Sequence, residues 1–233
     1  MNIKHLRLYH SPASRSARVK WMLHEVVGDA FEIERVELYD GVQYGAEFMQ
    51  LNPNHGVPVL QVTWETGESQ CIIESGAIVT FLADSFPEKG LAPAPSATPE
   101  RADYLQMVHF GSTWMDMMLW QIRIHEHMLP HAERDSRTVA RYRKKFFEEV
   151  EPQIARRLEL APYICGDEFS AADCVVGHNV FWARVYSLCR DRVFRRYLAT
   201  LSKRPAFVSA FSDARQFSPD VAQDMPIVAR FTG

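Results

Sequence analysis

The chain has 233 residues, of which 47% are hydrophobic and 24% are charged, and its formal net charge is −3. This composition excludes an intrinsically disordered chain, and the slightly acidic balance gives no attraction to nucleic acid or to acidic membranes. No apolar run approaches the roughly 18 residues that a membrane span requires. We therefore expect a soluble protein with room for two domains.

The four cysteines are Cys71, Cys165, Cys174 and Cys189, and none of them forms a C-x-x-C pair. A chain of this length does not need disulfides, and the apolar surroundings of these residues predict buried thiols. The first residues contain no apolar signal region. These features favour a reducing, cytoplasmic setting.

The first predicted strand runs into a helix whose N-terminus carries three serines, Ser11, Ser14 and Ser16. A thiol has a usual pKa of about 8.5, and a helix N-terminus can lower it to roughly 3.5–7.5. This helix start is therefore suited to stabilising a bound thiolate. The alternative is that the serines only cap the helix, as small polar residues often do.

A turn rich in Asn, Pro and Gly, residues 52–56, precedes an apolar run from Val57 to Val62 that is typical of a buried strand. An X-Pro bond can be cis at a cost of about 0.5–1 kcal/mol. A cis bond before Pro58 would turn the backbone N–H and C=O of Val57 outward, where an extended peptide could pair with them. An ordinary trans proline at the start of an edge strand is the alternative.

A further strand passes almost without a loop into a helix, and Ser75 lies in the first turn of that helix. Free backbone N–H groups, the helix dipole and a serine hydroxyl can together hold a carboxylate, while Glu74 can hold an ammonium group. An amino-acid head group carries both charges. A plain serine cap beside an exposed glutamate is the alternative.

The segment 86–99 contains four prolines, which exclude a continuous helix and predict a linker over residues 86–98, between domains 1–85 and 99–233. The second domain shows 3.6-residue periodicity, which predicts helices over 99–129, 136–160, 171–188, 191–201 and 205–213. Ser170 and Asp173 predict a capping box with a structural role. His125, His127 and His131 are close in sequence, but Pro130 interrupts their helix, so we expect no metal.

This order of elements resembles the thioredoxin-like domain of the cytosolic glutathione transferases, and the helical remainder resembles their second domain, including its Ser-x-x-Asp cap. The resemblance implies an α/β + all-α protein, with an N-terminal thioredoxin-like βαβαββα domain and a C-terminal all-helical bundle. In that family the residue before a cis proline pairs with the cysteinyl backbone of glutathione, and a Glu-Ser pair holds the γ-glutamyl end. The resemblance assigns these roles to Val57, Pro58, Glu74 and Ser75.

The spacing of Ser14 to Arg18, Ser-x-x-x-Arg, is similar to the start of the serine-type classes of that family. There the serine activates the thiol and the arginine points into the domain, so the resemblance makes Ser14 the catalytic residue. Because glutathione supplies the thiol, the chain is expected to need no general base. Ser11 and Ser16 are the alternative donors.

Two departures from the family pattern concern Gly56 and the absence of a cysteine between residues 10 and 18. The family commonly has Gln or Lys at the position of Gly56, where it reaches the glycyl carboxylate of glutathione. His55 and Asn54 are the candidate substitutes. The missing cysteine disfavours disulfide exchange by the protein itself.

A small hydrophobic electrophile is expected between the domains, because Met and aromatic side chains adapt to varied apolar ligands. The candidate wall on the first long helix is formed by Met107, Phe110, Trp114, Met115, Met118 and Trp120. From these residues and the serine loop, the predicted substrate pocket is Ser11, Phe110, Trp114, Met115 and Met118. Core packing or a dimer seam is the competing interpretation for each of the helix residues.

The resemblance thus implies a homodimeric glutathione transferase, with glutathione as cosubstrate, no metal, no nucleic acid and no membrane among its partners. Two alternatives stay open. One is a non-catalytic binding or assembly module, which Gly56 favours, and the other is a glutathione-dependent isomerase.

Overall fold

The computed structural model of the chain describes residues 2–216, 221–222 and 224–229. Its first part contains a mixed sheet and three helices. The elements are β1 (Ile3–His10), α1 (Ser16–Val27), β2 (Glu32–Arg35), α2 (Ala46–Leu51), β3 (Val59–Trp64), β4 (Ser69–Ile73) and α3 (Ser75–Ser85). This order confirms the predicted thioredoxin-like βαβαββα arrangement.

The sheet has the strand order β2-β1-β3-β4. β1 is parallel to β2 and antiparallel to β3, which is antiparallel to β4. A parallel pair needs a crossover connection, and α1 provides it between β1 and β2. Leu6 and Leu8 of β1 and Leu60 and Val62 of β3 are buried. Their alternation with less buried neighbours follows the two-residue period of a strand.

The second part is helical, with α4 (Pro99–His109), α5 (Asp116–Arg123), α6 (Ser136–Lys145), α7 (Glu151–Leu160), α8 (Ala171–Val185), α9 (Arg192–Leu201), α10 (Pro205–Ala210) and α11 (Pro226–Ala229). π-helical turns join α4 to α5, extend α5, and join α6 to α7; they are Phe110–Met115, Ile124–Met128 and Phe146–Val150. Among the helices of the described residues, none is both long and apolar enough to cross a membrane.

The predicted helices 99–129 and 136–160 are therefore confirmed as continuous segments, whereas two predicted ends are wrong. α8 ends at Val185 instead of 188, and α10 ends at Ala210 instead of 213. Ser187 has a φ of 63°, which takes the backbone out of the right-handed helix just beyond the end of α8. Hydrophobic periodicity alone does not register such a change.

The two parts share one hydrophobic core. Trp21 of α1 is fully buried, and its indole contacts Phe169, Phe207 and Phe211 of the helical part at ring-centroid distances of 5.5, 5.0 and 6.0 Å. Aromatic contacts of this geometry stabilise a core beyond the area that they bury. The sheet part and the helical part are thus packed against each other through large side chains.

The predicted capping box at the start of α8 is confirmed. Asp173 is fully buried, and its carboxylate accepts a hydrogen bond from the backbone N–H of Ser170 at 2.9 Å. It also accepts from the N–H of Ile164 at 2.9 Å and from the hydroxyl of Tyr197 at 2.7 Å. Asp173 therefore links α8 to α9 and to the preceding loop, beyond its role in the cap.

Candidate active site

A cavity of about 490 Å³ lies between the two parts of the chain. The sheet part contributes the loop Ser11–Arg15, the turn Asn54–Val57 and residues between β2 and α2. The helical part contributes residues of α5 and α8, and Ile227 of α11. The volume is within the range of about 300–1,000 Å³ that is typical of small-molecule sites.

The serine loop after β1 presents two of its three serines to the cavity. Ser11 and Ser14 line the cavity, whereas Ser16 is fully buried beneath them. The hydroxyl of Ser14 lies 2.8 Å from the carbonyl oxygen of Ser11 and 2.7 Å from the hydroxyl of Ser16. The structure therefore contradicts Ser16 as an alternative contact to the thiol, because a buried hydroxyl cannot reach a ligand in the cavity.

The turn before β3 is organised by Asn52, which is almost fully buried. Its amide nitrogen donates to the carbonyl of Gly56 at 2.7 Å, and its amide oxygen accepts from the N–H of Asn54 at 2.9 Å. The Val57–Pro58 peptide bond is cis, as the family resemblance implied, and the trans alternative is excluded. Val57 lines the cavity, and its N–H and C=O have no backbone partner among the residues that the structure describes. This free backbone edge is suited to pairing with a peptide-like ligand.

His55 also lies in the cavity lining. It is one of the predicted substitutes for the Gln or Lys that the family commonly has at the position of Gly56. Its φ of 44° is in the left-handed region, and its ring centroid is 4.8 Å from that of Tyr44. The contact fixes the imidazole at the edge of the cavity. Its role toward a ligand stays a prediction.

Glu74 and Ser75 lie outside the described lining of this cavity. Ser75 begins α3 and is nearly buried, and its hydroxyl accepts a hydrogen bond from Arg18 Nη1 at 3.2 Å. Glu74 is exposed, with a φ of 71° that is uncommon for a residue with a side chain. Their role in holding a γ-glutamyl group stays a prediction.

Arg18 points into the protein and is fully buried, as the resemblance implied. Its guanidinium donates to both carboxylate oxygens of Asp116, to the amide oxygen of Asn179 and to Nδ1 of His178. Burial alone would raise the pKa of Asp116, but the positive charges of Arg18 and Arg15 outweigh it and hold the pKa below its usual value. This cluster connects α1 to α5 and α8.

The cavity takes up only part of the predicted substrate pocket. Ser11 and Trp120 belong to its described lining, whereas Met107, Phe110, Trp114, Met115 and Met118 do not. Met115 and Met118 are fully buried in the main core, and Phe110 packs against that core. Trp114 faces outward and lies beneath the ammonium of Lys145, 4.9 Å from its ring centroid. Because the helix is apolar around most of its circumference, its hydrophobic pattern did not distinguish the side that faces the cavity from the side that faces the core.

The side of this helix that lines the cavity carries Trp120, Arg123 and Met128. Trp120 and Arg123 are three residues apart, and the π turn Ile124–Met128 stretches the next step to five, which keeps Met128 on the same side. Trp182 of α8 completes the aromatic wall. The guanidinium of Arg15 lies over both indoles, 4.9 Å from the Trp120 ring and 5.7 Å from the Trp182 ring.

His178 forms part of the cavity wall and is nearly buried. Burial and the neighbouring charge of Arg18 lower its pKa from 6.5 to about 3. The ring is therefore neutral at physiological pH, in agreement with its Nδ1 accepting from Arg18 Nε at 3.1 Å.

We expect His178 to make the protein less stable in acid. The unfolded chain binds a proton at this residue below pH 6.5, but the folded chain does so only near pH 3. Stability is therefore lost as the pH falls through this window, by about 1.4 kcal/mol per unit for this single group. Urea denaturation from pH 7 to pH 4 should give a smaller loss for His178→Asn than for the wild type. Equal losses in the two proteins would contradict this assignment.

Within the described part of the chain, no three His, Cys, Asp or Glu side chains are grouped as metal ligands would be. Nδ1 of His125 instead accepts from the N–H of Asp135 at 3.2 Å. All four cysteines are free thiols, and none belongs to the described cavity lining.

Comparison with known proteins matches residues 4–84 to the glutathione S-transferase N-terminal domain and residues 137–214 to the C-terminal domain. Disulfide-bond oxidoreductase YfcG of Escherichia coli is 28% identical over 193 residues, 80% of this chain and 81% of the relative. Probable maleylacetoacetate isomerase 2 of Drosophila melanogaster is 25% identical over 221 residues, 94% and 90% of the two chains.

Among solved structures, a glutathione transferase of Burkholderia graminis is 27% identical, with a TM-score of 0.77 over 91% of this chain and 90% of the other. That structure holds two glutathione molecules per protein subunit. Both domains of the family are present here in the family's order, on a fold that superimposes on its solved members. The chain therefore belongs to the glutathione S-transferase family.

Proposed function

We propose that the protein is a glutathione transferase that places the sulfur of glutathione beside Ser14 and uses it to attack a small hydrophobic electrophile. One observation carries the proposal: a single cavity joins the start of α1, the free backbone edge of Val57 and the aromatic wall of Trp120 and Trp182. The first two features suit the thiolate and the peptide backbone of glutathione, and the third suits an apolar second substrate.

Glutathione is proposed to lie extended along the turn before β3. The N–H and C=O of Val57 would pair with its cysteinyl residue, and His55, held against Tyr44, would face its glycyl end. Glu74 and Ser75 at the start of α3 are the proposed partners of the γ-glutamyl end, through the positive end of the helix dipole. The glutathione bound in related structures supports this use of the site.

The proposed reaction is a nucleophilic displacement or addition. The sulfur forms a bond to an electrophilic carbon, and a leaving group departs with the bonding electrons or an adjacent double bond accepts them. The wall of Trp120, Trp182 and Met128 removes water from an apolar electrophile and holds it near the sulfur. The protein then supplies position and thiolate stabilisation instead of a nucleophile of its own.

The test is Ser14→Ala, assayed by conjugation of glutathione to chlorodinitrobenzene. Because loss of one hydrogen-bond donor to a developing charge costs about 10²–10³ in kcat, we expect a loss of that size. Binding of S-methylglutathione, measured by calorimetry, should persist, since that ligand has no thiol. Ser11→Ala is the matched control from the same cavity and should retain most of the activity. Full activity in Ser14→Ala would remove Ser14 from the mechanism.

A second candidate is glutathione-dependent disulfide reduction, because the Escherichia coli relative is a disulfide-bond oxidoreductase. No cysteine lies in the described cavity lining, so both thiols would have to come from glutathione. One glutathione would attack the disulfide, and a second would resolve the mixed disulfide and leave as oxidised glutathione. Turnover of a dialkyl disulfide without turnover of chlorodinitrobenzene would favour this candidate. The isomerase alternative, which the family resemblance already left open, is supported by the Drosophila relative, a probable maleylacetoacetate isomerase.

A homodimer in the cytoplasm stays a prediction of the resemblance. The free state of Cys71, Cys165, Cys174 and Cys189 supports a reducing compartment, since an oxidising one favours disulfides. Sedimentation of the purified protein at twice the mass of the chain would support the dimer.

A further inference from the structure

A buried histidine and an aspartate lie behind the serine loop, on its side away from the cavity. His10, the last residue of β1, is only 2% exposed, and its Nδ1 lies 2.7 Å from Oγ of Ser16. Its Nε2 lies 3.0 Å from Oδ2 of Asp213. Since Oγ of Ser16 is 2.7 Å from Oγ of Ser14, a continuous line of hydrogen-bonding groups leads from the cavity to Asp213.

The charges at the inner end of this line fix the position of one proton. Oδ2 of Asp213 also accepts from Nζ of Lys20 at 2.7 Å. Partial burial would raise the pKa of Asp213, but the hydrogen bonds from His10 and Lys20 lower it to about 2. An ionised carboxylate can only accept, so Nε2 of His10 must carry a hydrogen.

His10 itself is neutral in this arrangement. Burial lowers the pKa of His10, and the nearby charges of Lys20 and Arg35 lower it further, against the opposing effect of Asp213. A neutral imidazole with its hydrogen on Nε2 has a free lone pair on Nδ1. Nδ1 of His10 therefore accepts the hydroxyl hydrogen of Ser16.

The position of the Ser16 hydrogen determines whether Ser14 donates a hydrogen bond to a ligand or accepts one from it. Because the hydrogen of Ser16 is used by His10, the short contact between the two serine oxygens requires the hydrogen of Ser14. The other partner of that hydrogen, the carbonyl oxygen of Ser11 at 2.8 Å, also belongs to the protein. The oxygen of Ser14 also accepts from the backbone N–H of Ser16 at 3.2 Å, which leaves one lone pair for a ligand in the cavity. In this state Ser14 can accept from a thiol but cannot donate to a thiolate.

We propose that Ser14, Ser16 and His10 form a proton relay that carries the proton of the bound thiol to Nδ1 of His10, with Asp213 holding the imidazole. The S–H bond breaks and its proton passes to Ser14, the hydrogen of Ser14 passes to Ser16, and that of Ser16 passes to His10. Both hydroxyls then point toward the cavity, so Ser14 donates to the thiolate. The proton is released to water when the product leaves, and no other reactant is needed.

The relay rests on the proposed function, because glutathione supplies the thiol. It also gives the chain a proton acceptor, which the sequence did not lead us to expect. Oδ1 of Asp213 is buried and has no hydrogen-bond partner among the described residues. A buried, unpartnered carboxylate oxygen is costly for folding alone, and such groups are expected where a function requires them.

The test is His10→Asn. The side-chain oxygen of asparagine can take the place of Nδ1 and accept from Ser16, but it cannot take up a proton. The ultraviolet absorbance of the bound thiolate, followed against pH, measures the pKa of the thiol in the complex. We expect this pKa to rise by about one unit or more, with at least a roughly tenfold loss of activity at pH 7 that recovers at higher pH. The affinity for S-methylglutathione should be unchanged.

Ser16→Ala interrupts the line at a second point and should raise the thiol pKa by a similar amount. The double variant should raise it no further, because both changes remove the same path. His24→Asn is the matched control: His24 lies on α1, and its Nδ1 is 3.1 Å from a carboxylate oxygen of Asp29, but it has no contact with the serines. It should leave the thiol pKa unchanged.

A wild-type thiol pKa in folded His10→Asn and Ser16→Ala, with S-methylglutathione still bound, would overturn the relay and leave the proposed function intact. Additive shifts in the double variant would also overturn it. A folded wild-type protein that binds no glutathione would overturn the proposed function and the relay together. The three results are distinguishable because the first two require glutathione binding and the third excludes it.

Discussion

Asp116→Ala is expected to lower the free energy of unfolding by about 3–5 kcal/mol, because removing one partner of a buried ion pair leaves the other charge uncompensated. Arg18 is fully buried, and Asp116 is the carboxylate that balances it, with Nη1 of Arg18 donating at 3.0 Å. Nε of Arg15 donates to the same carboxylate at 2.7 Å. The substitution would therefore also release Arg15 from its place at the cavity wall.

Urea denaturation at pH 7 measures this loss. Glu32→Ala is the matched control, since it removes the carboxylate of the exposed ion pair with Arg7, whose atoms are 2.8 Å apart. Exposed pairs of this kind contribute little to stability, so the control should unfold at nearly the wild-type urea concentration. Similar midpoints for Asp116→Ala and Glu32→Ala would show that the buried cluster does not stabilise the fold.

Asp173→Ala is expected to cost about 3–5 kcal/mol, several times the roughly 1 kcal/mol that loss of a helix cap usually costs. The carboxylate satisfies two backbone N–H groups and the hydroxyl of Tyr197, all within the core. Without it these donors stay buried and unpaired. The loss of stability therefore comes more from the buried donors that are left without an acceptor than from the helix terminus.

Thermal and urea unfolding of Asp173→Ala should be compared with those of Asp135→Ala. Asp135 caps α6 by accepting from the N–H of Arg137 at 3.0 Å, but its surroundings are exposed. Water can replace that carboxylate, so the second variant should be clearly the more stable. Equal destabilisation of the two proteins would mean that Asp173 acts only as a cap. Retained binding of S-methylglutathione by folded Asp173→Ala would separate its role from the active site.

Most of the elements that the sequence predicted correctly are determined by local chemistry. The cis bond before Pro58 is an exception, because the turn alone left cis and trans open and only the family resemblance implied cis. Ser170 and Asp173 form a capping box because the two positions lie within one helical turn. Long helices are recognised because periodicity accumulates over many residues.

The cavity wall could not be predicted in the same way. Trp120 was among the candidates and lines the cavity, but Met115 and Met118, which have the same apolar character, face the core, and Trp182 was not predicted. Which side of a helix faces a cavity depends on π turns and on the position of α8, and both are set by tertiary packing. The signal that was available is the spacing of Trp120 and Arg123, which places an aromatic and a cationic side chain together.

Contacts between residues that are far apart in the chain also cannot be predicted from the sequence pattern. His10 and Asp213 are 203 positions apart, yet their side chains are hydrogen-bonded. Nothing near His10 in the sequence indicates a carboxylate partner. The sequence alone therefore gives no sign that the histidine at the end of this strand has a functional partner.

The packed interface between the sheet part and the helical part limits how substrates reach the cavity. Swinging the two halves apart would bring the bare guanidinium of Arg18 and the indole of Trp21 into water and would break the bonds of Arg18 to Asp116 and Asn179. A hinge-like opening would have to begin with partial unfolding of the interior. Ligands must therefore enter and leave while the two parts stay packed together, through the side of the cavity that is open to solvent.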